Sequence, residues 1–152
     1  YLAWVVRSIG HRFRFVELAQ EISERMPIYI AHRVQDALNT DKKPINGSRV
    51  LLLGVTYKAN ICDQRESPAQ PLAARLLAMG ADVHFFDPHV DRFIVNGTNI
   101  PAEDNLRSAV DWSDLGVLVQ AHDEIVGSEE LKGVRMILDT RGVLTGANVE
   151  RL

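Results

Sequence analysis

Apolar residues recur every four positions between residues 14 and 40: Leu18, Ile22, Met26, Ile30, Val34 and Leu38, with Phe15, Ala19 and Ala37 beside them. That spacing predicts an amphipathic helix with one apolar stripe and charge on the other side. Pro27 falls in its middle. It either kinks one long helix or opens a second at its first turn, where a missing N–H costs nothing. The stripe calls for core or subunit packing, not chemistry. Asp41-Lys42-Lys43-Pro44-Ile45-Asn46-Gly47-Ser48 then carries a proline and a turn-type Asn-Gly. It reads as a linker, residues 41–48, between a helical part, residues 1–40, and an α/β domain, residues 49–152.

Past the linker the pattern becomes short apolar runs separated by helical stretches. Residues 49–55, 82–86, 115–120 and 136–139 are predicted strands. Ser67-Pro68 opens a helix, Ser67 as N-cap and Pro68 in the first turn. Leu72, Leu76, Leu77 and Met79 give that helix its apolar face, and Gly80 ends it. Residues 89–113 look loop-like, with Asn96-Gly97 a turn and residues 105–110 a short helix; residues 129–132 form a helical turn. Apolar strands alternating with helices predict an α/β fold: a doubly wound, Rossmann-like parallel sheet with an N-terminal helical extension.

A chain of 152 residues fits one domain with an appendage. The net charge of −3 points to no nucleic acid and no membrane surface. The longest apolar run, VLLLGV, is too short to span a bilayer. Cys62 is the lone cysteine, so neither a disulfide framework nor a thiolate metal cluster is expected, and the composition suits a reducing cytoplasm. His84, His89 and His122 stand near strand ends without metal-ligand spacing, so no metal site is predicted. The chain starts without Met, and the expectation is a piece of a longer protein.

In open parallel sheets, ligands bind at the carboxyl ends of the strands. Those ends are polar here: Tyr57-Lys58 and residues 63–67 after the first, Asp87 after the second, Gln120, His122 and Asp123 after the third, and Asp139, Thr140 and Arg141 after the fourth. A dinucleotide fingerprint needs glycines where this chain has Thr56 and Ala59. The loop therefore offers side chains: lysine as a point charge, arginine as a planar fork, both suited to phosphate. Asp63, Arg65 and Glu66 fit a salt-bridged, capped turn equally well. Cys62 has Lys58 and Arg65 near it in sequence but no histidine, and is not expected to be a nucleophile.

Residues 54–69, GVTYKANICDQRESPA, resemble the Gly-x-x-Tyr-Lys-x-Asn/Asp-x-x-Asp-x-Arg-Glu-Ser-Pro-Ala signature of the UDP-glucose/GDP-mannose dehydrogenase family. The opening YLAW and RFVELAQEISERMP are similar to the end of that family's central helical region, and FFDPHV and ILDTRGVL also fit. Among subfamilies, the UDP-N-acetylglucosamine and UDP-N-acetylmannosamine 6-dehydrogenases resemble it best.

The resemblance implies an enzyme that oxidises a sugar C6 alcohol to a carboxylate with two NAD, through a thioester on a cysteine. That cysteine is expected shortly before Tyr1, so no catalytic residue is expected in this chain. NAD is expected on an N-terminal domain, and residues 1–40 in a dimer-forming region of a homo-oligomer. By the same resemblance Tyr57, Lys58 and Arg141 contact the UDP-sugar, and Arg65 reaches the NAD side of the cleft. Asp63, Glu66 and Ser67 orient Arg65 and cap the helix. A non-catalytic nucleotide-sugar-binding or dimerisation module is the alternative, and upstream sequence separates the two.

Overall fold

The computed structural model describes residues 2–8, 10 and 13–152. Tyr1, Ile9, His11 and Arg12, which belong to the opening stretch compared above, lie outside the described residues. Helix α1 (Leu2–Ser8) precedes the long helix α2 (Arg14–Thr40). An α/β succession follows: β1 (Arg49–Leu53), α3 (Ala69–Ala78), β2 (Asp82–Phe86), a hairpin of β3 (Phe93–Val95) and β4 (Thr98–Ile100), and α4 (Leu106–Trp112). It ends with β5 (Leu115–Leu118), α5 (Asp123–Val126), a 3₁₀ turn (Glu129–Gly133), β6 (Ile137–Asp139) and β7 (Val149–Arg151).

The main sheet has the order β2-β1-β5-β6-β7, and all its pairings are parallel. Alternate side chains of one strand serve two cores. Val50 and Leu52 of β1 face a layer containing α2 and α3, while Leu51 and Leu53 face α4, α5 and the 3₁₀ turn. β1, β5 and β6 are buried on both faces, which is why they read as short apolar runs. The order reverses direction between β1 and β5. That reversal is the switch point, the edge where open α/β sheets take their ligands.

Helix α2 is continuous through the buried Pro27. Its stripe meets two environments along its length. Ile30, Val34 and Leu38 enter the core, whereas Phe15, Leu18, Ile22 and Met26 are exposed; residues 18–26 are exposed all round, so the N-terminal half of the helix stands outside the core. Arg135 holds the helix's C-terminal end through Asp41 at 2.6 Å, and Arg33 pairs with Glu150 of β7.

Several boundaries differ from the expectation, each for a local reason. β1 ends at Leu53 because Gly54 turns the chain at φ +76°. β5 ends at Leu118 because Val119 and Gln120 both direct their N–H to the Leu53 carbonyl. Residues 89–113 are not all loop. Asn96 and Gly97, at φ 49° and 80°, make a two-residue turn of the kind that matches hairpin twist, and it joins β3 to β4. Phe93, Val95 and Ile100 of that hairpin are buried. The helix after it runs two residues further than expected, capped by the Asn105 side chain on Ser108 N–H.

At the opposite sheet end Asp114 ties the linker to β1. Its carboxylate takes Lys43 Nζ at 2.8 Å, Arg49 Nη2 at 3.0 Å and Arg49 N–H at 3.0 Å. Burial would raise this carboxyl, but the bonds from Arg49 and Lys43 outweigh it and hold the group below the usual carboxylate range. A carboxyl depressed on folding adds stability that is complete above its unfolded value, about 3.9, and is lost as pH falls through the folded value. Asp114→Asn is expected to cost roughly 1–2 kcal/mol at pH 7, the gap to wild type shrinking below about pH 4. Urea midpoints across pH check this, and a pH-independent gap would count against it.

Candidate functional site

The switch-point edge begins at Gly54. A Cβ there would lie 2.5 Å from the Gln120 carbonyl oxygen and 3.0 Å from the His122 ring, so the ends of β1 and β5 approach as only glycine permits. The chain then leaves the sheet through residues 55–67, the expected charged loop. It is held from inside, largely through its backbone. Val55 N–H donates to Asp87 Oδ2 at 2.7 Å, and Tyr57 N–H to the Asp63 carbonyl at 2.8 Å. Gln120 Nε2 donates to the Tyr57 carbonyl at 2.8 Å. Asn60 N–H donates to His122 Nδ1 at 2.9 Å.

With the backbone anchored, Tyr57 and Lys58 face solvent, Tyr57 half exposed. Arg65 lies over Asp63. Nε and Nη2 donate to its two oxygens at 2.9 and 2.8 Å, and Arg65 N–H adds a bond at 3.0 Å. These bonds, the guanidinium's first, bring the Asp63 carboxyl down to about 2, and Asp63 in turn raises Arg65. The Nη1 edge of the guanidinium remains for a ligand. Glu66 is exposed, in the left-handed region at φ 60°, and makes no bond to Arg65.

Ser67 acts one residue earlier than expected. The helix starts at Ala69 with Pro68 in the cap position, and Ser67 Oγ accepts from Ala69 N–H while donating to the Thr56 carbonyl, both at 3.2 Å. Ser67 is buried and closes the loop onto its own start.

Two buried aspartates organise the strand ends. Asp87, after β2, receives Val55 N–H, His89 N–H at 2.9 Å and the His122 ring at 3.1 Å. Asp139, ending β6, receives the N–H groups of Arg141 and Gly142 at 2.9 Å and of Leu144 at 2.7 Å. It pins the loop that carries Arg141, whose side chain is exposed. Lys58 and Arg141 have no ion pair among the described residues. Two unpaired cations and a phenol thus stand at the carboxyl edge of one sheet, a surface suited to an anionic ligand such as a diphosphate.

Cys62 is exposed, and Nδ1 of His122 accepts from Asn60 N–H. Sequence reasoning noted Asp87, Gln120, His122 and Asp139 as polar strand ends but not their partnership. In the sequence Thr56 figures only as a missing glycine and Asn60 only as the Asn/Asp position of the signature, neither as an anchor. The available signal was a polar residue closing each apolar run.

The fold is a Rossmann-like domain with a charged loop at the carboxyl edge of its sheet. The chain belongs to the UDP-glucose/GDP-mannose dehydrogenase family, whose UDP binding domain matches residues 51–146. A UDP-N-acetyl-D-mannosamine dehydrogenase of Methanocaldococcus jannaschii is 28% identical over 149 residues, covering 93% of this chain and 32% of that protein. The structure of a UDP-D-ManNAc dehydrogenase from Pyrococcus horikoshii superposes with a TM-score of 0.81 at 22% identity, covering 96% of this chain and 35% of the other. That of an NDP-N-acetyl-D-galactosaminuronic acid dehydrogenase from Methanosarcina mazei gives 0.76 at 26%, covering 94% and 32%. The chain thus spans about a third of the length of the relatives it matches.

Proposed function

We propose that this chain is the substrate-binding, C-terminal part of an NAD-dependent nucleotide-sugar 6-dehydrogenase that oxidises the C6 alcohol of a UDP-N-acetylhexosamine to a uronate. The observation that carries this is the anchored signature loop. It presents Tyr57 and Lys58 at the switch-point edge that also bears Arg141, in a chain of this family. The N-acetylated substrate is favoured because the similar proteins named above act on such sugars by their descriptions.

Lys58 and Arg141 neutralise the diphosphate and Tyr57 packs against the nucleotide sugar, so the ligand is oriented by this domain while chemistry occurs elsewhere. NAD, which accepts the hydrides when bound, does not fit the first turn of this chain as its main cradle. The N–H groups of Val55, Tyr57 and Asn60 are already committed to Asp87, Asp63 and His122. NAD is therefore held mainly by a domain outside this chain, with Arg65 facing it through its Nη1 edge. Asp63 orients Arg65, while Glu66 and Ser67 shape the turn into the helix.

Residues 1–40 belong to a central helical region that pairs with a second copy. Phe15, Leu18, Ile22 and Met26 form the exposed apolar strip expected of such an interface. Sedimentation tests this, and a monomer at high concentration would refute it. The enzyme is placed in the cytoplasm, where nucleotide sugars and NAD are available.

The kinetic test is Lys58→Ala in the intact enzyme. Loss of a charged hydrogen bond, roughly 1.5–3 kcal/mol, should lower kcat/KM for the nucleotide sugar about 10- to 100-fold with the KM for NAD little changed. Wild-type constants would rule out the role given to Lys58.

A further inference from the structure

We infer that His122 is a positioning residue for substrate binding: its buried ring, with Asp87 and Thr56, sets the place of the Tyr57-Lys58 segment. This deepens the substrate-site reading above and rests on it. The ring is fully buried, so it touches no ligand itself. Nδ1 accepts Asn60 N–H at 2.9 Å, which leaves the ring proton on Nε2. Nε2 faces Asp87 Oδ2 and Thr56 Oγ1, each at 3.1 Å. Thr56 Oγ1 gives its own proton to the Lys58 carbonyl at 2.8 Å and therefore receives from the imidazole. Asp87 Oδ2 also holds Val55 N–H.

One imidazole-carboxylate pair thus secures residues 55, 56 and 60, on both sides of Tyr57, Lys58 and Ala59. The Asn60 side chain extends the anchor, its Oδ1 accepting Asp123 N–H at 3.1 Å. The ring has no room to relocate: Gly54 lies against one side, and His89 packs on it with centroids 4.9 Å apart. Asp87 and His89 are the titratable groups facing it.

The two ring contacts can be removed separately. His122→Asn keeps an acceptor near Nδ1 and loses the bond to Asp87, while His122→Gln keeps a donor near Nε2 and loses Asn60. Both are compared with wild type in the intact enzyme, by steady-state kinetics and by backbone hydrogen exchange. The expected result is a KM for the UDP-sugar raised at least about 10-fold in each variant, with the KM for NAD within about 2-fold. Exchange should quicken at Tyr57 and Asn60 with β1 and β5 amides protected as in wild type. In His122→Asn the Asn60 amide should stay the better protected of the two. Unchanged exchange at residues 57–60, or exchange quickened equally across the sheet, would overturn the inference. Failure of the wild type to turn over any UDP-sugar would refute the substrate reading instead, and exchange would still decide the role of His122.

Discussion

Gly54→Ala is expected to destabilise the protein by about 3–5 kcal/mol and to displace the signature loop. Two costs combine. At φ +76° any residue with a Cβ is strained by about 1–2 kcal/mol. The new methyl would also meet the Gln120 carbonyl oxygen at 2.5 Å and its Cβ at 2.8 Å. Both belong to Gln120, just past the end of β5, whose N–H is bonded to the Leu53 carbonyl and whose backbone cannot yield cheaply. Gly142→Ala is the control: its φ is +70°, but nothing lies within 4 Å of the added Cβ, so only the first cost applies. Scanning calorimetry should place Gly54→Ala about 10 °C below wild type, and Gly142→Ala only a few degrees below. Equal losses would show that β1 and β5 do not approach as closely as described.

Asp139→Ala should cost about as much and abolish nucleotide-sugar binding besides. The carboxylate is fully buried and receives three N–H groups, from Arg141, Gly142 and Leu144. Each buried donor left without a partner costs about 1–3 kcal/mol unless the loop moves out to water. Movement is the cheaper response, and it takes Arg141 away from the switch-point edge. Asp139→Asn, which retains an acceptor oxygen, should lose less of both. Denaturant unfolding and nucleotide binding, measured on the same samples, check the pairing of the two losses. A stable Asp139→Ala protein that binds normally would contradict the role given to this carboxylate.

The central strands β1, β5 and β6 were legible in the sequence because they are buried on both faces, whereas the edge strand β7, partly exposed and three residues long, was not read. Residues 50–53 and 115–118 read as unbroken apolar runs, and the helix ending at Gly80 was plain from spacing. The hairpin was not legible: its strands have three residues each, too few for alternation to register, although Asn96-Gly97 was seen as a turn. The stripe of α2 misled differently. Its fourfold spacing is regular in sequence, but only the part from Pro27 onward reaches the core, while residues 18–26 are exposed on every side. Within the site, the charged loop stood out as a local string. The anchors did not, because Thr56 with His122 and Val55 with Asp87 lie 66 and 32 residues apart. Side-chain chemistry said that Asp87 and His122 were polar; only topology says that they meet.

The central claim is that the carboxyl edge of this sheet binds the diphosphate of a nucleotide sugar. Its most direct test is calorimetric titration of the intact protein with UDP and a UDP-N-acetylhexosamine, in wild type and Arg141→Ala. The account predicts binding of both ligands by wild type and at least about 10-fold weaker binding of both by Arg141→Ala, at unchanged thermal stability. Equal affinities in the two proteins would contradict it.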